Sequence, residues 1–137
     1  MDMSAPITAL YAALAGLMVL VLAILVVRGR WRHRVSLGTG TEPAMERAVR
    51  VHANFIEYVP LALLLLLLAE LNGAAAPLLH AAGVLLLASR VLHAYGLSRV
   101  SGRSFGRFYG TAGTWLTILV LSGWLLGLLG RGPAAAG

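Results

Sequence analysis

The 137-residue chain has no cysteine and no lysine, and only 5 Asp and Glu residues stand against 11 basic ones, all of them arginine. Without cysteine there is no disulfide, no thiolate metal site and no cysteine nucleophile. Charged residues make up 12% of the chain, about half the share found in an ordinary soluble domain. Apolar residues reach 59%, and a water-soluble fold of this size would leave far too much of that hydrocarbon exposed. The net charge of +6 sits in short segments beside apolar runs, not on a basic globular surface. That pattern fits membrane topology and argues against nucleic acid as a partner.

What is abundant is long apolar sequence, in four runs of roughly 20 residues, each roughly 30 Å long as a helix and so matched to the bilayer core. These runs nearly exhaust the chain and leave no soluble domain. The fold class read from them is an all-α integral membrane protein, an up-down bundle of four transmembrane helices over about residues 7–27, 44–71, 78–97 and 108–129, in one domain spanning 1–137. The first run is too long for a signal-peptide core and ends in Arg28-Gly29-Arg30 without a small-residue cleavage site, so it reads as a retained helix. Arg28 to Pro43, with Gly38-Thr39-Gly40-Thr41, reads as an exposed loop, and Asn72-Gly73 with Pro77 marks a tight connection.

The arginines set the expected orientation. The first loop and the foot of the second helix carry Arg28, Arg30, Arg32, Arg34, Arg47 and Arg50, and the third loop carries Arg99, Arg103 and Arg107, against Arg131 on the other side. Both Arg-rich loops are expected on the cytoplasmic side, where Arg28 to Arg34 serve topology and contact anionic lipid.

Ionisable residues inside a span cost roughly 2.5 to 3.5 kcal/mol on insertion scales, which makes them functional candidates. In the second helix Arg47, Arg50, Asn54 and Glu57 are spaced by three, four and three residues and share one stripe. The stripe descends about 10 Å from Arg50 to Glu57. Arg90 and His93 share a face near the cytoplasmic end of the third helix, and Arg107 opens the fourth at the same level. The sequence thus predicts a polar pocket open to one leaflet, with only Glu70 and His80 in the opposite halves. The plainer alternatives are that Arg47 and Arg50 snorkel to phosphates, that Glu57 and Arg90 form a structural ion pair, and that His93 is an interhelical contact. Pro60 removes a backbone donor one turn after Glu57 and predicts a bend there. Gly106-x-x-x-Gly110 and Gly123-x-x-x-Gly127 would allow close helix approach.

The run Glu46, Arg47, Arg50, Asn54, Glu57 and Pro60, in the pattern E-R-x-x-R-x-x-x-N-x-x-E-x-x-P and followed by Arg90-Val-Leu-His93, strongly resembles the signature of the MAPEG family, the membrane-associated proteins of eicosanoid and glutathione metabolism. The resemblance implies a homotrimer that binds glutathione between neighbouring subunits. It implies Arg50, Asn54, Glu57, Arg90 and His93 as glutathione contacts and Arg107 as the catalytic residue that stabilises the thiolate, with Arg103 as the competing alignment. Animal synthases carry a tyrosine where this chain has Leu97, and some members an arginine where it has Ala53. His93-Ala-Tyr95-Gly96 looks more like the bacterial branch.

The expected function is therefore a glutathione-dependent transferase or peroxidase acting on lipophilic electrophiles or hydroperoxides from the bilayer. Glutathione is the co-substrate, and no metal is expected. The alternative is a non-catalytic trimeric binding or scaffold protein that keeps the fold. A transporter is disfavoured, because the outer halves lack polar lining and no inverted repeat is visible. Arginine without lysine, with abundant Ala, Gly and Leu, suggests a bacterial inner membrane.

Overall fold

Four helices account for almost all of the structure: α1 (Pro6–His33), α2 (Pro43–Leu71), α3 (Ala76–Arg99) and α4 (Phe105–Leu129). This computed structural model describes residues 4–99 and 104–130, and no strand occurs among them. All four helices are long and apolar enough to cross a membrane. The polypeptide is an integral membrane bundle, with α2 and α3 central: α1 packs on α2 and α3, α4 packs on α3 and α2, and the α1 and α4 backbones do not approach each other among the described residues. Large side chains such as Leu17, Leu20, Leu119 and Leu126 stand more than half exposed on the two outer helices. In lipid they have an apolar neighbour there.

The predicted first loop begins later than the sequence suggests. Arg28, Arg30 and Arg32 lie on α1, which continues to His33 and ends where Arg34 adopts a left-handed conformation at φ 53° and ψ 40°. The N–H of Val35 donates to the Arg30 carbonyl at 3.0 Å, and Arg30 Nη1 donates to the Gly38 carbonyl at 2.9 Å. Polarity ends the apolar span without ending the helix, because arginine is a good helix former and its charge complements the negative end of the helix dipole. At 28 residues, α1 is about 42 Å long and outruns the bilayer core by about two turns.

The start of α4 moves the other way, to Phe105 rather than Phe108. Ser104 caps it, its hydroxyl accepting from the Arg107 N–H at 3.3 Å, which places Arg107 within the first turn. α2 runs without interruption through Pro60.

Two devices lock the bundle. At the end away from the arginines, the Glu70 carboxylate accepts from the backbone N–H of Ile7 at 2.9 Å and of Thr8 at 2.7 Å. It caps α1 from another helix and supplies the negative charge that a helix N-terminus favours. Beside it the buried Tyr11 hydroxyl lies 3.0 Å from His80 Nδ1 and 3.2 Å from the His80 carbonyl oxygen. Glu70 and His80, the two polar outliers of the halves away from the Arg-rich loops, are thus engaged in holding helices together.

The second device is the close approach of α3 and α4. A Cβ placed on Gly106 would meet the Leu92 carbonyl at 2.6 Å, and one on Gly110 would meet the Ser89 carbonyl at 2.6 Å and His93 Cβ at 2.7 Å. No side chain fits at either place, so this pair is the contact that the small-residue spacing predicts. Gly123 and Gly127 face open space and play no such part within this chain.

Candidate functional site

The rotation of α2 follows from which of its residues the bundle buries. Val51, Phe55 and Val59 pack into a core with Ala15, Leu22 and Leu97, which turns the adjacent stripe of Glu46, Arg47, Arg50 and Asn54 toward α3 and α4. These four residues, with His93, Leu97 and Arg107, line a polar cavity of about 270 Å³. A second, more apolar cavity of about 810 Å³ runs along α4 and is lined by Asn54, His93, Ser104, Arg107, Phe108, Thr111, Ala112 and Trp115. Asn54, His93 and Arg107 belong to both walls. The arrangement is a single groove, cationic at one end and apolar at the other, with those three side chains at the junction.

Arg90 does not line either cavity. It is 2% exposed, donates from Nη1 to Asn54 Oδ1 at 2.6 Å and from Nη2 to the Gly110 carbonyl at 2.9 Å, and lies 5.9 Å from the centre of the Tyr58 ring. Its guanidinium is therefore spent on bridging α2, α3 and α4. The close approach at Gly110 is what brings that carbonyl within reach. The ion pair between Glu57 and Arg90, one of the plainer sequence alternatives, is absent from the described residues. Glu57 instead stands 3.8 Å from Arg50, with both side chains about half exposed, and it lines neither cavity.

Of the six residues singled out by sequence, Arg50, Asn54, His93 and Arg107 meet in the groove, Arg90 braces it from behind, and Glu57 flanks it through Arg50. Arg103, the competing alignment for Arg107, lies outside the described residues, as does Arg131. Sequence reading placed Arg47 on the stripe without naming it a ligand contact, and it missed Glu46 as a cavity residue, although four-residue spacing from Arg50 places Glu46 on the same face. It also missed the apolar half, because Phe108, Thr111 and Trp115 look like ordinary span residues until the helices are packed. Leu97, where the animal synthases carry a tyrosine, lies in the wall of the polar cavity, whereas Tyr95 is exposed and stacks under Arg99 at 4.9 Å. No group of three His, Asp or Glu side chains able to hold a metal occurs among the described residues.

The sequence profile of the MAPEG family matches residues 8–127, which takes in all four spans and the groove. The chain belongs to the MAPEG family. It is 37% identical over 115 residues to the inner membrane protein YecN of Escherichia coli strain K12, a match that covers 84% of this chain and 86% of that protein. The YecN of Escherichia coli strain O6:H1 matches to the same extent. The four-helix membrane bundle is thus the fold of this MAPEG protein, and the groove between its α2, α3 and α4 is its candidate site.

Proposed function

We propose that this MAPEG protein is a glutathione-dependent transferase or peroxidase of the bacterial inner membrane, with the Arg-rich end of the bundle on the cytoplasmic side. The observation that carries the reading is the junction: a cationic cavity and an apolar cavity meet at Asn54, His93 and Arg107. A thiol with two carboxylates suits the first, and a lipophilic acceptor arriving from the bilayer suits the second. Arginine forks bind carboxylates in a bidentate manner, so Arg50 and Arg47 take the carboxylates of glutathione, and the polar groups of Asn54 and His93 hold its peptide. Arg90 keeps Asn54 in place, and Glu57 orients Arg50.

Arg107 then stands where the thiol must meet the acceptor. A guanidinium about 4 Å from a thiolate is worth about 4 kcal/mol at an effective dielectric constant of 20. Each tenfold gain in thiolate fraction requires about 1.4 kcal/mol. One arginine is therefore sufficient to make the thiolate the prevailing form near neutral pH. In transfer, the thiolate sulfur forms a bond to the electrophilic carbon and the leaving group departs with its electron pair. In the peroxidase variant it attacks the terminal oxygen of a hydroperoxide; the O–O bond breaks, the alkoxide takes a proton, and a second glutathione converts the sulfenic acid to disulfide and water.

A homotrimer belongs to the same proposal. Arg50 and Glu57 are charged, lie on a membrane-spanning helix, and are about half exposed in one chain. A neighbouring copy would cover them and complete the glutathione site, where lipid would not.

The test is calorimetric titration of the detergent-purified protein with glutathione, together with the ultraviolet absorbance of the thiolate. The parent binds and develops the thiolate band. Arg107→Ala binds but loses the band and turnover with a lipophilic electrophile, while Arg50→Ala loses binding. Absence of binding in a well-assembled parent would overturn the assignment, and binding without turnover against any electrophile or hydroperoxide would favour the non-catalytic alternative.

A further inference from the structure

The lengthening of α1 past the bilayer builds a cavity separate from the groove. It has a volume of about 560 Å³ and lies where the end of α1 meets the start of α2 and the end of α3, within the range of roughly 300 to 1,000 Å³ common for small-molecule sites. On α1 its wall runs from Leu22 and Leu25 to Arg28 and Arg32, a single stripe that climbs about 15 Å along the helix. On the antiparallel α2 the wall runs from Val51 and Ala48 to Arg47. The α1 wall therefore passes from apolar to cationic, and Arg47 of α2 adds a third cation, followed toward the same end by Met45 and Ala44. Had α1 stopped at Val27, Arg28 and Arg32 would have no fixed position against α2.

We propose that this cavity binds the phosphate headgroup region of an anionic phospholipid. Arg28 and Arg32 are one helical turn apart, a spacing of about 6 Å that lets two guanidiniums hold one phosphate. The nearby carboxylate, Glu42, is 3.5 Å from His33 Nδ1, and no ion pair engages Arg28 or Arg32 among the described residues. A free inorganic phosphate would use only the cationic rim. The apolar floor of Leu22, Leu25 and Val51 requires an amphiphile, whose glycerol and first acyl carbons lie along it while the phosphate reaches the arginines. The proposal does not depend on the glutathione reading, since the two cavities share only Arg47.

The experiment titrates the detergent-purified full chain with dihexanoyl phosphatidylglycerol, dihexanoyl phosphatidylcholine and inorganic phosphate, following heat and thermal midpoint. Phosphatidylglycerol is expected to bind saturably and raise the midpoint, while the other two at the same concentration do neither. Arg28→Gln combined with Arg32→Gln removes two surface cations and weakens phosphatidylglycerol binding about thirtyfold. Leu25→Phe fills the floor and weakens it with every arginine in place, which keeps the idea testable should the double variant fail to fold. Equal stabilisation by inorganic phosphate would mean a free-anion site, and equal stabilisation by phosphatidylcholine would mean unspecific lipid contact. Either result, or undiminished phosphatidylglycerol binding in both variants, overturns the proposal.

Discussion

Replacing Asn54 by leucine is the sharpest probe of how the groove is held. Arg90 is 2% exposed, and its shortest bond is the one to Asn54 Oδ1 at 2.6 Å. Leucine removes that acceptor and leaves the Gly110 carbonyl as the one remaining hydrogen-bond acceptor of a buried cation among the described residues. Stranding a buried polar group costs roughly 1 to 3 kcal/mol, and more when it is charged. Interhelical hydrogen bonds in bilayers average about 0.6 kcal/mol with a maximum near 1.7, because the separated helices also find partners. The two ranges overlap at about 1 to 1.7 kcal/mol, a fall in thermal midpoint of roughly 3 to 8 °C for a chain of this size. Asn54→Asp keeps an acceptor at the same place and neutralises Arg90, so its midpoint stays at or above that of the parent. That carboxylate also enters a cavity lined by Arg47, Arg50 and Arg107, and it should weaken binding of an anionic ligand. Asn54→Leu therefore loses stability, while Asn54→Asp keeps stability and loses binding. Combining Asn54→Leu with Arg90→Leu removes both partners and should cost less than the sum of the single changes. Thermal unfolding in detergent that places Asn54→Leu within about 1 °C of the parent, far below one kcal/mol, would refute the bracing role of Arg90.

Two further substitutions test the packing. Gly110→Ala forces α4 away from the Ser89 carbonyl and His93, lengthens the Arg90 bond to the Gly110 carbonyl and should cost about 1 to 3 kcal/mol; Gly123→Ala, facing open space within α4, should leave the thermal midpoint at or slightly above that of the parent. Glu70→Gln removes the charge that caps α1 and replaces one of its two acceptor oxygens by an NH2 donor, so one of the two cap bonds is lost and a cost of about 1 to 3 kcal/mol is expected. Hydrogen exchange should show it as faster exchange at the amides of Ile7 and Thr8, with the Arg-rich end unaffected.

Much of the site was legible in the stripe Arg47, Arg50 and Asn54, because helical spacing alone assigns residues to a common face. Glu57 belongs to that stripe by spacing, yet it lines neither cavity and stands 3.8 Å from Arg50 at the edge of the groove. Arg90 carries a charge that the sequence pairs naturally with Glu57. The structure gives it to Asn54 and the Gly110 carbonyl, neither of which is charged. The apolar cavity along Phe108 and Trp115, and the cationic one walled by Arg28 and Arg32, left no trace in the sequence that separates them from a lipid-facing helix and an exposed loop.

The sequence by itself determined the solvent, the number of spans and the end of the bundle at which the charge collects. These depend on transfer free energies summed along the chain and on a fixed rise of 1.5 Å per residue. Only the tertiary structure decided which polar groups meet, because that depends on how each helix is rotated about its axis and how closely two helices approach. Here the rotation is set by the buried faces of α2, and the approach by Gly106 and Gly110, whose missing Cβ atoms let α4 close on α3 and bring Arg107 beside Asn54 and His93.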